Sequence, residues 1–96
     1  MKIRILRAAL KDLESSRSFY DKQGEGVGDY FYDSLFSDID SLTLYAGVHK
    51  RYDRFYRMLS RRFPFAIYYT LEGNTVLVWR ILDLRQHPDS IKTKLK

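Results

Sequence analysis

Ninety-six residues suffice for one domain and exclude two, because a second autonomous core would need more apolar side chains than this length carries. Hydrophobic residues make up 45% and aromatic residues 16% of the chain, including eight Tyr and six Phe, which predicts a packed core with tyrosines to spare for an interface. The lack of Cys excludes disulfides, thiolate ligands and cysteine nucleophiles, and a net charge of +5, from 17 Lys and Arg against 12 Asp and Glu, favours an acidic partner.

Lys2 to Leu6 alternates Ile3 and Ile5 with charged neighbours and predicts a short strand. Ala9/Leu10, Leu13, Ser16/Arg17 and Tyr20 follow the helical period, so residues 8 to 22 should form an amphipathic helix. Gly24, Gly26 and Gly28 lack the spacing of a dinucleotide fingerprint and the Lys-Ser/Thr of a P-loop. They read as a turn between helices, where glycine accepts positive φ. Val27, Tyr30/Phe31, Ser34/Leu35, Asp38/Ile39 and Leu42 make a second helical stripe. Two helices joined by so short a turn should pair antiparallel and lay their apolar sides on a sheet. Asp38 and Asp40 diverge around the second helix and read as solvent-facing. Tyr45 to His49 leaves that helix, with His49 a lone histidine in a loop.

Residues 51 to 59, RYDRFYRML, read as the next strand. Phe63 to Thr70 is a stronger one, begun at Pro64, and Val76 to Leu82 is stronger still, with LEGN reversing the chain between them. Val76 and Val78 lie opposite in parity to Leu77, Trp79 and Ile81, so both faces of the last strand need cover. The helices supply one cover and a terminal segment or a partner the other. Arg80 has the parity of Val78 and Leu82 and has to snorkel, pair or point into a polar groove. Pro88 to Lys96 suits a short helix or a tail with Leu95 docked. The expected fold class is α+β: an N-terminal strand, an antiparallel helical hairpin, then a three-stranded antiparallel meander completing a small sheet, in a single domain over residues 1–96. No apolar N-terminal run and no membrane-length segment occurs, so a soluble, cytoplasmic protein without a membrane partner is expected.

Charge is unevenly placed. Lys50, Arg51, Arg54, Arg57, Arg61 and Arg62 face Asp53 alone over residues 50–62, whereas Glu25, Asp29, Asp33, Asp38 and Asp40 stand without a basic residue over 25–40. Metal and cofactor sites are not expected, since His49 and His87 are the only histidines and belong to no helical ligand pair. No serine occupies a nucleophile elbow. RNA cleavage is the enzyme class that the inventory permits: it needs a base for the 2′-hydroxyl, cations on the phosphate and an acid for the leaving oxygen. Arg61, Arg62 and Arg85 suit clamps, His87 suits an acid or base, and Tyr56 or Tyr69 can stack or donate. The candidates for target contact are therefore Arg61, Arg62, Arg80, Arg85, His87 and Tyr56, with no catalytic residue assigned. The strand-end arginines equally suit a plain role, paired with Asp53 or Asp83.

The order strand, two helices, three strands, with RRFPFAIYY at 61–69 and ILDLRQHP at 81–88, resembles the RelE/ParE superfamily of toxins from type II toxin-antitoxin modules. KDLE at Lys11 to Glu14, the Phe19 to Gly28 segment and Arg85-x-x-Pro88 extend the likeness to nearly the whole chain. The resemblance implies growth inhibition, a role in plasmid stabilization and a cognate antitoxin whose flexible segment wraps the toxin and folds on binding. It offers two targets, since RelE-like members cut mRNA in the ribosome with basic residues on the sheet, whereas ParE-like members inhibit DNA gyrase. Arg85 matches the later family arginine. Phe65 stands where RelE-like nucleases carry an arginine, Asp83 where a histidine is frequent, and Gln86-His87 where arginine-aspartate is common. One phosphate clamp is thus missing and an acid that repels phosphate is added. The pattern is closer to ParE-like members, with gyrase as the implied target and ribosome-dependent mRNA cleavage as the alternative. A homodimer through the same apolar patch and a non-catalytic binding module are further readings.

Overall fold

The computed structural model describes residues 1–96. Alternating Ile3 and Ile5 form β1 (Lys2–Ile5), and the two helical stripes form α1 (Arg7–Asp21) and α2 (Val27–Asp40). A single helical turn, α3 (Leu42–Tyr45), carries the chain on to β2 (Lys50–Tyr52), β3 (Phe55–Leu59), β4 (Phe65–Glu72), β5 (Thr75–Asp83) and α4 (Pro88–Lys94). One five-stranded sheet has the order β1-β5-β4-β3-β2; β1 runs parallel to β5 and the remaining neighbours are antiparallel. The α+β class and the helical hairpin are as the sequence predicts.

The meander has four strands rather than three, because residues 51–59 are not one strand. Tyr52 opposes Phe55, leaving Asp53 and Arg54 as a two-residue turn, and Asp53 adopts φ 57°. Aspartate is among the few non-glycine residues that tolerate this left-handed conformation, so the chain reverses without a glycine to mark the site. A second difference lies in β5. Tyr68 opposes Arg80 but Tyr69 opposes Val78, so Trp79 is the extra residue of a bulge. Side-chain parity shifts there, and Ile81 joins Val76 and Val78 on the helix side instead of opposing them.

The helices and the sheet enclose the larger core, in which Leu13, Phe31, Leu35 and Ile39 meet Phe65, Ile67, Tyr69 and Val76. Gly28 lets the helices approach closely: a Cβ there would lie 2.5 Å from the Arg17 carbonyl oxygen. On the opposite face Phe55, Ala66, Tyr68 and Leu82 are covered by Ile91 and Leu95. The terminal segment is therefore the second cover, and each of its two aliphatic anchors contributes about 1.5–3 kcal/mol by leaving water. Where β1 ends at Ile5, the edge of β5 would be bare. The Asp12 carboxylate of α1 closes it, accepting from the Ile81 N–H at 2.9 Å and from Arg80 Nε and a terminal guanidinium nitrogen at 2.8 Å each. No helix is long and apolar enough to cross a membrane.

Candidate functional site

The start of β4 lies beside the end of β5, with Phe65 opposite Asp83. This pairing sets the Ser60–Pro64 loop next to the segment that follows β5. Pro64 lacks an N–H and sits just before the ladder, where its carbonyl accepts from the Leu84 N–H at 2.8 Å. Ser60 N–H donates to the Phe65 carbonyl at 2.8 Å and closes the other end of the loop. In its middle Phe63 is wedged between the helices, with ring centroids 5.0 Å from Tyr20, 5.0 Å from Phe31 and 5.6 Å from Tyr30. A loop held at both ends and by its central ring leaves Arg61 and Arg62 exposed, and neither joins any of the molecule's four ion pairs.

Arg85 reaches the same end of the sheet but is not free. Its Nε donates to Asp83 Oδ1 at 3.0 Å, one terminal nitrogen donates to Oδ2 at 2.7 Å, and that nitrogen also donates to the Tyr20 hydroxyl at 3.1 Å. Burial pushes the Asp83 carboxyl up, but the Arg85 hydrogen bonds and charge outweigh this and hold it below the usual carboxylate range. Reciprocally, the hydrogen bond to Asp83 raises the Arg85 guanidinium, outweighing the desolvation that lowers it.

The other sequence candidates lie elsewhere or do something local. His87 is exposed, and its Nδ1 accepts from the Asp89 N–H at 3.1 Å, capping α4 ahead of Pro88. Arg80 pairs with Asp12 and donates to the Lys94 carbonyl at 3.0 Å, so of its three expected fates it takes pairing and ties α1, β5 and α4 together. Tyr56 stacks on Tyr69 at 5.2 Å, with the Arg51 guanidinium 4.5 Å above its ring. The structure thus gathers Arg61, Arg62 and Arg85 at one end of the sheet, places His87 two residues beyond, and leaves Arg80 and Tyr56 out.

Sequence reasoning missed several neighbours. Tyr20 supplies a hydroxyl to Arg85, Tyr30, 54% exposed, meets the wedged Phe63 from α2, and Phe19, 51% exposed, packs edge-on against Tyr20 on α1. Asp38 was expected in solvent and is instead 4% exposed, because its carboxylate accepts from Ser60 Oγ at 2.7 Å; Asp40 alone is exposed. The signal was there, since Asp38 shares the apolar stripe of α2. Two open clefts, of about 420 and 390 Å³, lie along α4, and neither is lined by the three arginines. No three His, Cys, Asp or Glu side chains gather as metal ligands. The arginine end therefore offers cations and aromatic contact area suited to an acidic surface.

Comparison with known proteins places these features in a family. The model of the ParE toxin of the type II toxin-antitoxin system parDE matches residues 3–88. Among solved structures, the chain is similar to one from a chromosomal ParDE TA system of P. aeruginosa, at 17% identity and TM-score 0.80, over 88% of this chain and 97% of that one. At such identity the likeness concerns the fold. No curated protein matches in sequence.

Proposed function

Because the chain belongs to the ParE toxin family of type II toxin-antitoxin systems, we propose that it arrests growth in the cytoplasm by binding DNA gyrase through the arginine end of its sheet. A small cognate antitoxin holds it inactive. The observation that carries this choice of target is the Arg85–Asp83 pair. A ribonuclease would turn unpaired cations at this position toward the scissile phosphate; here a carboxylate already occupies the guanidinium fork and adds its own negative charge. Phe65, where a further clamp would stand, is 3% exposed within the core. Arg61 and Arg62 remain to engage an acidic protein surface, with the half-exposed Tyr30 against the Phe63 of their loop, and steering by these charges weakens with salt. Exposed Leu44, Val48 and Leu59 offer apolar contacts to an antitoxin segment that folds as it binds.

Expression without a partner should slow growth, and co-expression with a small acidic protein that co-purifies should restore it. The purified toxin should inhibit gyrase supercoiling and leave ribosome-bound mRNA intact. Cleaved mRNA with unaffected supercoiling would transfer the protein to the RelE-like interferases. Normal growth despite abundant folded protein would leave a non-catalytic binding module, and a doubled mass in the absence of antitoxin would indicate a homodimer.

A further inference from the structure

Apart from the tyrosines, two polar side chains are buried, Ser34 and Asp38, and Asp38 is the one with a carboxyl group. It lies in the last turn of α2 and forms no ion pair. Burying a carboxylate without a cation is costly, and a neutral or apolar residue would fill the same volume at less cost. What the carboxylate does touch is the root of the arginine loop: Oδ2 accepts from Ser60 Oγ at 2.7 Å and, more weakly, from the Arg61 N–H at 3.4 Å. The helix end beneath it is itself tied, because Ser41 Oγ donates to the Asp38 carbonyl at 2.6 Å.

We propose that Asp38 is a positioning residue for target binding, which fixes the backbone from which Arg61 and Arg62 project; this rests on the reading that the arginine end contacts the target. The loop's far end is held by Pro64, its middle by Phe63 and its near end by the Ser60 N–H on the Phe65 carbonyl, and Asp38 adds the side-chain anchor that reaches both the Ser60 hydroxyl and the Arg61 N–H. Its charge also matters to direction. A buried anion under the Arg61 N–H and the Ser60 hydroxyl favours the conformation in which these donors point inward, so both guanidinium groups leave the surface on the outer side. The stem of a long cation is otherwise mobile, and ordering its backbone in advance removes part of the entropy lost on binding.

The test compares Asp38→Asn, Ser60→Ala, Arg61→Ala/Arg62→Ala and the combination of Asp38→Asn with both arginine changes, using full-length toxin, with Asp40→Asn as the exposed control. Each is measured for far-UV signal, for amide exchange at Arg61, and for the concentration that half-inhibits gyrase or, in cells, the toxin level that half-arrests growth. In Asp38→Asn the Arg61 amide should exchange about tenfold faster, as expected when a charge-assisted acceptor is lost, and potency should fall by a similar factor. The combined variant should be no weaker than the arginine pair alone, because without arginines nothing remains to be positioned. If the arginine pair loses potency while Asp38→Asn and Ser60→Ala keep it, Asp38 only supports the fold and the inference fails with the site reading intact. Losses that simply add in the combined variant overturn it in the same way. Wild-type potency in the arginine pair removes the site reading and the inference together. Should Asp38→Asn not fold, Ser60→Ala keeps the Asp38 side chain in place, removes only the shorter contact to it and carries the test alone.

Discussion

Arg85→Ala separates a target contact from a structural prop, because the geometry sets the two effects at different sizes. The change deletes the fork on Asp83 and the contact to Tyr20, yet the Arg85 backbone N–H still donates to Asp83 Oδ1 at 2.8 Å, so the carboxylate keeps a partner. The two side chains are 54% and 31% exposed, and solvent screens a pair of that kind to about 0.2–1 kcal/mol. Since 1 kcal/mol moves the midpoint of a domain this size by about 4–8 °C, thermal unfolding should fall by no more than that. An arginine anchor lost from an interface costs about 2 kcal/mol or more, about thirtyfold in affinity, so half-inhibition of supercoiling should need a far higher toxin concentration. Asp83→Asn gives the reciprocal arm: it frees the guanidinium, and inhibition should persist or strengthen. It should also alter the acid limb of stability. Asp83 has a depressed folded pKa, so its contribution is complete above the unfolded value of 3.8 and is lost as pH falls through the lower folded value. The wild-type midpoint should therefore drop below about pH 4 more steeply than that of Asp83→Asn. A midpoint lowered by more than about 10 °C in Arg85→Ala, with soluble yield and toxicity falling in proportion, would refute the reasoning and leave Arg85 a fold-supporting residue.

Asp12→Ala should be among the more damaging single changes away from the apolar core. It strands the Arg80 guanidinium and the Ile81 N–H, at about 3 kcal/mol for a half-buried pair, and urea unfolding should show the midpoint shift at constant slope. Gly28→Ala gains about 1 kcal/mol of helix propensity, but its Cβ would meet the Arg17 carbonyl oxygen at 2.5 Å. A net loss of about 1–2 kcal/mol is expected by the same measurement, and stabilisation would mean that the helices part freely. His49 sits with Nδ1 2.5 Å from the Tyr69 hydroxyl, and burial lowers its pKa. The folded protein then binds this proton at lower pH than the unfolded chain, so stability is complete above about 6.5 and declines as pH falls from there; His49→Gln should flatten that decline in a midpoint-against-pH series.

What could be read before the structure depended on how far apart the causes lie along the chain. The helical stripes of α1 and α2, the glycine turn and the apolar runs of β4 and β5 are local periodicities, and each formed where expected. The β2–β3 reversal is local too, but its signal is one aspartate at φ 57°, among arginines that imitate the alternation of a continuous strand. The bulge at Trp79 carries no sequence mark, and it alone decides that Ile81 faces the helices. Partners of charged residues divide in the same way. Asp83 could be named for Arg85 because two positions separate them, whereas Asp12 and Arg80 lie 68 residues apart and only the sheet edge left open by the short β1 brings them together.

The same distance rule explains Asp38, with a sharper consequence. Helical period places it beside Ile39 in the buried stripe, while the cost of desolvating a carboxylate argues for solvent, and from one segment the second consideration outweighs the first. The donor that reverses the balance, Ser60, is 22 residues away in a loop whose position is itself set by Phe63 lodging between α1 and α2. Burial of the acid and exposure of Arg61 and Arg62 are therefore two results of one packing event. A charged residue in an apolar stripe marks the place where some distant segment must supply donors, and in this chain the segment that does so carries Arg61 and Arg62, both outside any ion pair.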